Sequence, residues 1–275
     1  MKGWVNNVKK NKFEIDMCNG SIMDKLISFS LPLMVSGILQ LAFNAVDIIV
    51  VGRFSGSQAL AAVGSTTALI NVFTNLFIGI SLGANVLAAR FYAAGKDREM
   101  SETVHTSITL ALISGIMMAV IGVLLAKWAL EIMGTPDDVI GQSALYMRIY
   151  FMGMPFFMLY NYGAAILRAI GDTKRPLIFL IISGIANAAL NMILVILFHM
   201  GVAGVAIGTI ISQLISCVLV LTCLYRSEGS YQLRFSKLKI NGAYMEQIFQ
   251  VGVPAGIQST VINLSNALLQ SSVNS

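Results

Sequence analysis

The sequence predicts an all-α polytopic membrane protein, and three observations carry the prediction. Of its 275 residues, 56% are hydrophobic and only 11% are charged, and the mean hydropathy is +0.78, too apolar for a soluble domain of this size. Seven apolar stretches are long enough to cross about 30 Å of hydrocarbon at about 1.5 Å per residue. The Lys and Arg residues fall in alternate connections between those stretches, the asymmetry that fixes the topology of membrane helices.

The first stretch, about residues 27 to 51, follows a polar tail, residues 1–26. It is too long for a cleaved leader, its tail contains Glu14 and Asp16, and no small-residue cleavage site follows a short apolar core. The second, third and fourth stretches lie near residues 65 to 90, 104 to 126 and 143 to 167. The fifth, sixth and seventh lie near 177 to 198, 202 to 224 and 247 to 273. Six helices within residues 27–225 are expected to make one lobe, residues 226–246 a linker, and residues 247–275 the first helix of a second, incomplete lobe.

Fifteen of the eighteen basic residues sit in the tail and the second, fourth and sixth connections, among them Lys9, Lys10, Arg90, Arg98, Arg168, Arg175, Lys237 and Lys239. The other connections hold Arg53 and Lys127, with Glu131, Asp137 and Asp138 nearby. This places the N-terminus, the tail and the linker in the cytoplasm of a cell whose plasma or inner membrane the chain crosses. The net charge of +5 then reflects topology near anionic headgroups, not nucleic-acid binding.

Polar residues inside the apolar stretches point to a site. Asp47 is the only acidic residue well inside a span, and a carboxylate at that depth is costly enough to mark function. Ser36, Gln40, Asn44 and Asp47 follow i, i+4, i+8, i+11 spacing and share one helix face. The fifth span repeats the pattern with Ser183, Asn187 and Asn191, the sixth with Thr209, Gln213 and Ser216, and the seventh with Ser259, Asn263, Asn266 and Gln270. Any one such stripe serves to bond helix to helix; four, one with an acid, favour a wet central cavity. Counting from the span ends sets Asp47, Asn191 and Thr209 within roughly 3 Å of one level. A carboxylate, amide oxygens and a hydroxyl suit a hard cation such as Na+, and the same group could hold a proton on Asp47.

Cys18, Cys217 and Cys223 imply neither a disulfide framework nor a metal site. His105 and His199 fall at opposite membrane ends and are expected to be interfacial. Arg148 is expected to snorkel outward. The fourth stretch, "YMRIYFMGMPFFMLYNYG", is dense in Met and aromatic residues, which suits either a repackable cation-binding surface or an interfacial, lipid-facing helix. Gly79 with Gly83 and Gly204 with Gly208 are expected to mark tight helix crossings. No enzyme signature such as H-E-x-x-H is present.

Five segments, in order, resemble the N-terminal lobe of the multidrug and toxic compound extrusion (MATE) family of secondary transporters. They are "SLPLMVSGILQLAFNAVDIIVVGRFSG", "GISLGANVLAARFYAAGKD", "LRAIGDTKRP", "NAALNMILV" and "GVAGVAIGTIISQ". The resemblance implies that Asp47 is the cation-coupling acid, that Pro32 bends the first helix, and that Asn187 and Thr209 belong to the cation site. Asn191 stands where many members carry Asp, which leaves the coupling ion, Na+ or H+, undecided. Gln40, Asn44, Gln213, Asn263 and Asn266 are then candidates to line the cavity. The implied activity is cation-coupled antiport of amphipathic organic cations or drugs, with no cofactor.

A flippase for lipid-linked precursors from the same broad superfamily is the alternative, and a seven-helix receptor is a third class. No Lys follows Lys239 to form a Schiff base, and the inferred topology is reversed from a receptor's. Shifting the sequence by 222 residues sets Pro254 on Pro32 and Asn266 on Asn44, as a second repeat would. The sequence therefore reads as a truncated transporter whose partner is a missing C-terminal lobe or a second copy, and which does not transport alone.

Overall fold

The computed structural model describes Ile15 and residues 21–274. Among the described residues every regular element is helical: α1 (Ile22–Phe54), α2 (Gly56–Ala93), α3 (Asp97–Ile132), α4 (Asp137–Met152), α5 (Met154–Ala169), α6 (Lys174–Met192), α7 (Gly201–Arg226) and α8 (Gly242–Asn274). A π-helical turn, Ile193–Leu197, extends α6, and a 3-10 turn, Phe235–Lys237, lies between α7 and α8.

Five helices are long and apolar enough to cross a membrane: α1, α2, α3, α6 with its π turn, and α7. The single span expected over residues 143 to 167 is instead broken into α4 and α5, of 16 residues each. Sixteen residues rise about 24 Å, short of the hydrocarbon thickness, so the two act as one interrupted unit. Pro155 causes the break. It lacks the N–H that would bond the carbonyl of Phe151, its ring clashes there, and it sits in the first turn of α5 after Gly153.

The innermost helix is α5, packed against α2, α3 and α7. Met154, Met158, Tyr162, Ile166 and Leu167 are fully buried along it, and Met147 and Phe151 of α4 continue the core. The Met-rich stretch is therefore mostly bundle core, which corrects the lipid-facing reading; only some of its aromatic rings reach a cavity. Large apolar side chains point outward instead, including Leu31, Met34, Ile38 and Leu41 of α1 and Ile113, Ile116, Val120 and Leu124 of α3. An apolar exterior around a bundle with buried backbone bonds is what lipid requires.

The "GDTKRP" segment staples α5 to α6. Gly171 turns with φ of +86°, a conformation that a side chain would strain. Asp172, wholly buried, then accepts the Arg175 backbone N–H at 3.1 Å and pairs with the Arg175 guanidinium, which reaches Cys223 of α7 at 3.1 Å. On the other flank, α8 lies against α2 where Gly79 and Gly83 meet Gly252 and Gly256. A Cβ on Gly79 or Gly83 would fall on α8 backbone, so this expected crossing is a backbone-to-backbone contact.

Candidate functional site

Three helices bring their polar stripes to one place. Asn187 and Asn191, four residues apart, share one face of α6, and both are buried. Asn191 Nδ2 donates to Asp47 Oδ1 of α1 at 2.5 Å and to Asn187 Oδ1 at 3.4 Å. Asn187 Nδ2 in turn donates to Thr209 Oγ1 of α7 at 3.5 Å. The Thr209 hydroxyl donates its own hydrogen to the Val205 carbonyl at 2.9 Å, so its lone pairs are the part offered to the cluster. Asp47, Asn187, Asn191 and Thr209 thus form one connected group.

Amide polarity follows from the carboxylate: Asn191 turns its N–H groups to Asp47 and Asn187, which leaves its Oδ1 buried with no hydrogen-bond partner among the described residues. Gly208 makes this possible. A Cβ there would fall on Asn191 Oδ1, so α7 seats the amide through a missing side chain. Sequence reading placed Gly208 at a helix crossing through the Gly204 and Gly208 pair; its contact with the cluster went unread.

A cavity of about 400 Å³ opens beside the cluster. Gln40, Asn44 and Asp47 line it from α1, Ser183 and Asn187 from α6, and Thr209 and Gln213 from α7. Three of the four predicted stripes therefore converge. The fourth does not enter this comparison, because the side chains of Asn263, Asn266 and Gln270 lie outside the described residues. Pro32 lies inside α1, where Ser36 Oγ donates to its carbonyl at 2.8 Å.

A further stripe on α2 was missed: Thr67, Asn71, Thr74 and Asn75 also line the cavity. Its i, i+4, i+7 spacing was readable in the second span. The threonine hydroxyls bond their own helix, Thr67 to Val63 and Thr74 to Ile70, each at 2.8 Å, so the asparagine amides are the polar groups of that wall. Tyr146 and Tyr150 of α4 add aromatic surface near Asp47. Arg148, between them on the other side of α4, is exposed. His105, expected at the interface, is buried within the protein and hydrogen-bonded on both ring nitrogens. Among the described residues no group of three or more His, Cys, Asp or Glu gathers as a metal cluster. The site combines one carboxylate, amide oxygens and a hydroxyl, a donor set for a hard cation or a proton.

Comparison with known proteins agrees with this architecture. The MatE family profile matches residues 32–193. The chain is 33% identical to "Probable multidrug resistance protein YoeA" of Bacillus subtilis (strain 168), over 92% of this chain and 56% of that protein. It is 28% identical to "Multidrug export protein MepA" of Staphylococcus haemolyticus (strain JCSC1435), over 89% of this chain and 56% of that one. It therefore spans little more than half the length of these curated relatives. A solved structure described as "Outward-facing conformation of a multidrug resistance MATE family transporter of the MOP superfamily" superposes with a TM-score of 0.87 at 22% identity, over 96% of this chain and 58% of that chain. With its profile match covering more than half of its residues, and its helices laid out as in those transporters, the chain is a multi-pass membrane protein of the multidrug and toxic compound extrusion (MatE) family.

Proposed function

We propose that this chain supplies the cation-coupling lobe of a multidrug exporter, with Asp47 as the charge that the coupling ion neutralises. The observation that supports this reading is the Asp47, Asn191, Asn187 and Thr209 network, with a buried amide oxygen left over beside a polar cavity. A carboxylate held by an amide in hydrocarbon is poised between two states. It carries its charge when a cation or proton is absent and loses it when one binds. Asp47 lies on α1, which carries Pro32 and borders both α2 and α6. Neutralising it removes the electrostatic reason for Asn191 to hold α1 against α6, and α1 is then released to change its packing.

Substrates in this reading are amphipathic organic cations, which the aromatic and amide walls of the cavity suit. Residues 27–225 form the coupling lobe, 226–246 a cytoplasmic linker, and 247–275 the start of a second lobe or the contact to a second copy. Efflux of a cationic dye from vesicles containing the transporter, driven separately by a proton gradient at fixed Na+ and by a Na+ gradient at fixed pH, tests the reading. One of the two gradients is expected to drive efflux. Equal efflux with neither gradient would refute coupling.

A further inference from the structure

The end of α3 where the helix begins carries a recess of about 750 Å³, distinct from the polar cavity. One wall is the first turns of α3, with Arg98, Glu102 and His105; the other is the segment before α8, with Lys237 and Lys239. The apolar part of α3 starts at about residue 104, so the recess lies at the level where headgroups meet the helix.

This segment is fastened to α3 residue by residue. The Arg234 backbone N–H donates to His105 Nε2 at 3.1 Å, and His105 Nδ1 lies 2.6 Å from the Ser101 carbonyl. A carbonyl can only accept and a backbone N–H can only donate, so Nδ1 serves as the donor to Ser101 and Nε2 as the acceptor from Arg234. Thr106 Oγ1 donates to the Lys239 carbonyl at 3.4 Å and accepts the Asn241 N–H at 3.2 Å. Asn241 Nδ2 donates to Glu102 at 2.8 Å. These bonds hold the backbone that carries Lys237 and Lys239 opposite Arg98.

Charge in the recess is unbalanced. Glu102 is its one carboxylate, and it already accepts from Arg98 Nε at 3.0 Å and from Asn241. The Arg98 hydrogen bond first, then that of Asn241, holds the Glu102 carboxyl below its usual range, so it stays ionised and spoken for. Among the described residues, neither Lys237 nor Lys239 makes a salt bridge, Lys239 acting on Glu102 only through space, and the Arg98 guanidinium keeps further donors. Topology alone explains basic residues on this side. It does not explain a walled recess with its lysine backbone pinned.

The geometry points to a binding site for a phosphate-bearing anion, such as the headgroup of an acidic phospholipid, with Arg98, Lys237 and Lys239 as its counter-charges. Basic pockets at the ends of membrane helices take such headgroups, and a guanidinium beside two ammoniums matches the oxygens of a phosphate. A bound headgroup would brace α3 against the segment that leads into α8.

The test uses the full chain in phosphatidylcholine nanodiscs with increasing phosphatidylglycerol, and native mass spectrometry to count retained lipid. A second arm adds glycerol phosphate to nanodiscs of phosphatidylcholine alone. Selective retention of phosphatidylglycerol is expected. The exposed pair Lys237→Gln and Lys239→Gln should weaken it by about 25-fold, at about fivefold for each basic side chain. Lys127→Gln, at the opposite end of α3, should leave retention unchanged, and circular dichroism of each variant confirms the fold. Binding of glycerol phosphate alone, lost in the same double variant, would support the site with a soluble phosphate as its source. No binding in either arm, or retention unchanged by the double variant, would overturn the proposal.

Discussion

At the scale of the residue, the site depends on an amide whose two ends have different work. Asn191 uses its N–H groups on Asp47 and Asn187, and its oxygen rests over Gly208. Gly208→Ala should therefore push the amide off the carboxylate and reproduce much of the Asn191→Ala phenotype. Removing one partner of a buried polar pair costs about 1–3 kcal/mol, so both variants should lower the melting temperature in detergent and impair gradient-driven efflux. A Gly208→Ala protein with unchanged efflux would remove that glycine from the site. The residues of the cluster were legible in the sequence because a helix imposes a period and hydrocarbon makes every polar side chain conspicuous. The seat at Gly208 was not legible: which side chain lies over a glycine depends on how α6 meets α7, and spacing within one helix carries no such information.

Elements show the same division. The five spanning helices follow from apolar length, whereas the break between α4 and α5 follows from Pro155, which was present in the sequence but hidden inside an uninterrupted apolar run. Likewise, the motif around Asp172 was readable as a loop, and its buried pairing with Arg175 only through the contact with α7. Asp172→Ala leaves a buried guanidinium without its counter-charge and should destabilise the protein by about 3–5 kcal/mol, measured as a shift in the thermal unfolding midpoint. Gly83→Ala acts differently. Its Cβ would fall on the Ile248 carbonyl, which cannot rotate away, so α2 and α8 must separate at a cost of about 1–3 kcal/mol. Protease sensitivity of the segment before α8 should rise in that variant, and unaltered sensitivity would show that the crossing is not what holds α8.

For the whole molecule, the exterior is apolar and the basic residues fall in alternate connections, which together predict the orientation. With the native cysteines replaced by serine, Asp138→Cys should react with a membrane-impermeant maleimide added outside the cell. Glu228→Cys should react only after permeabilisation. The opposite pattern would invert the topology. The all-α membrane fold and the family were readable from sequence because apolar length and the five matching segments are both linear features. The recess at the start of α3 was not, because it joins Arg98 to Lys239 across more than a hundred residues of chain.

Gradient-driven efflux by Asp47→Asn, in an exporter that joins this lobe to a second one, compared with the same protein carrying Asp47 in the same vesicles, bears most directly on the role of the cluster. Asparagine keeps the size and most of the hydrogen-bonding capacity of aspartate but cannot carry its charge, so membrane insertion and folding should be retained. Efflux should fall to the rate seen without a gradient, whether the effective gradient is Na+ or H+. Efflux that still follows the gradient in Asp47→Asn would mean that the coupling charge lies elsewhere.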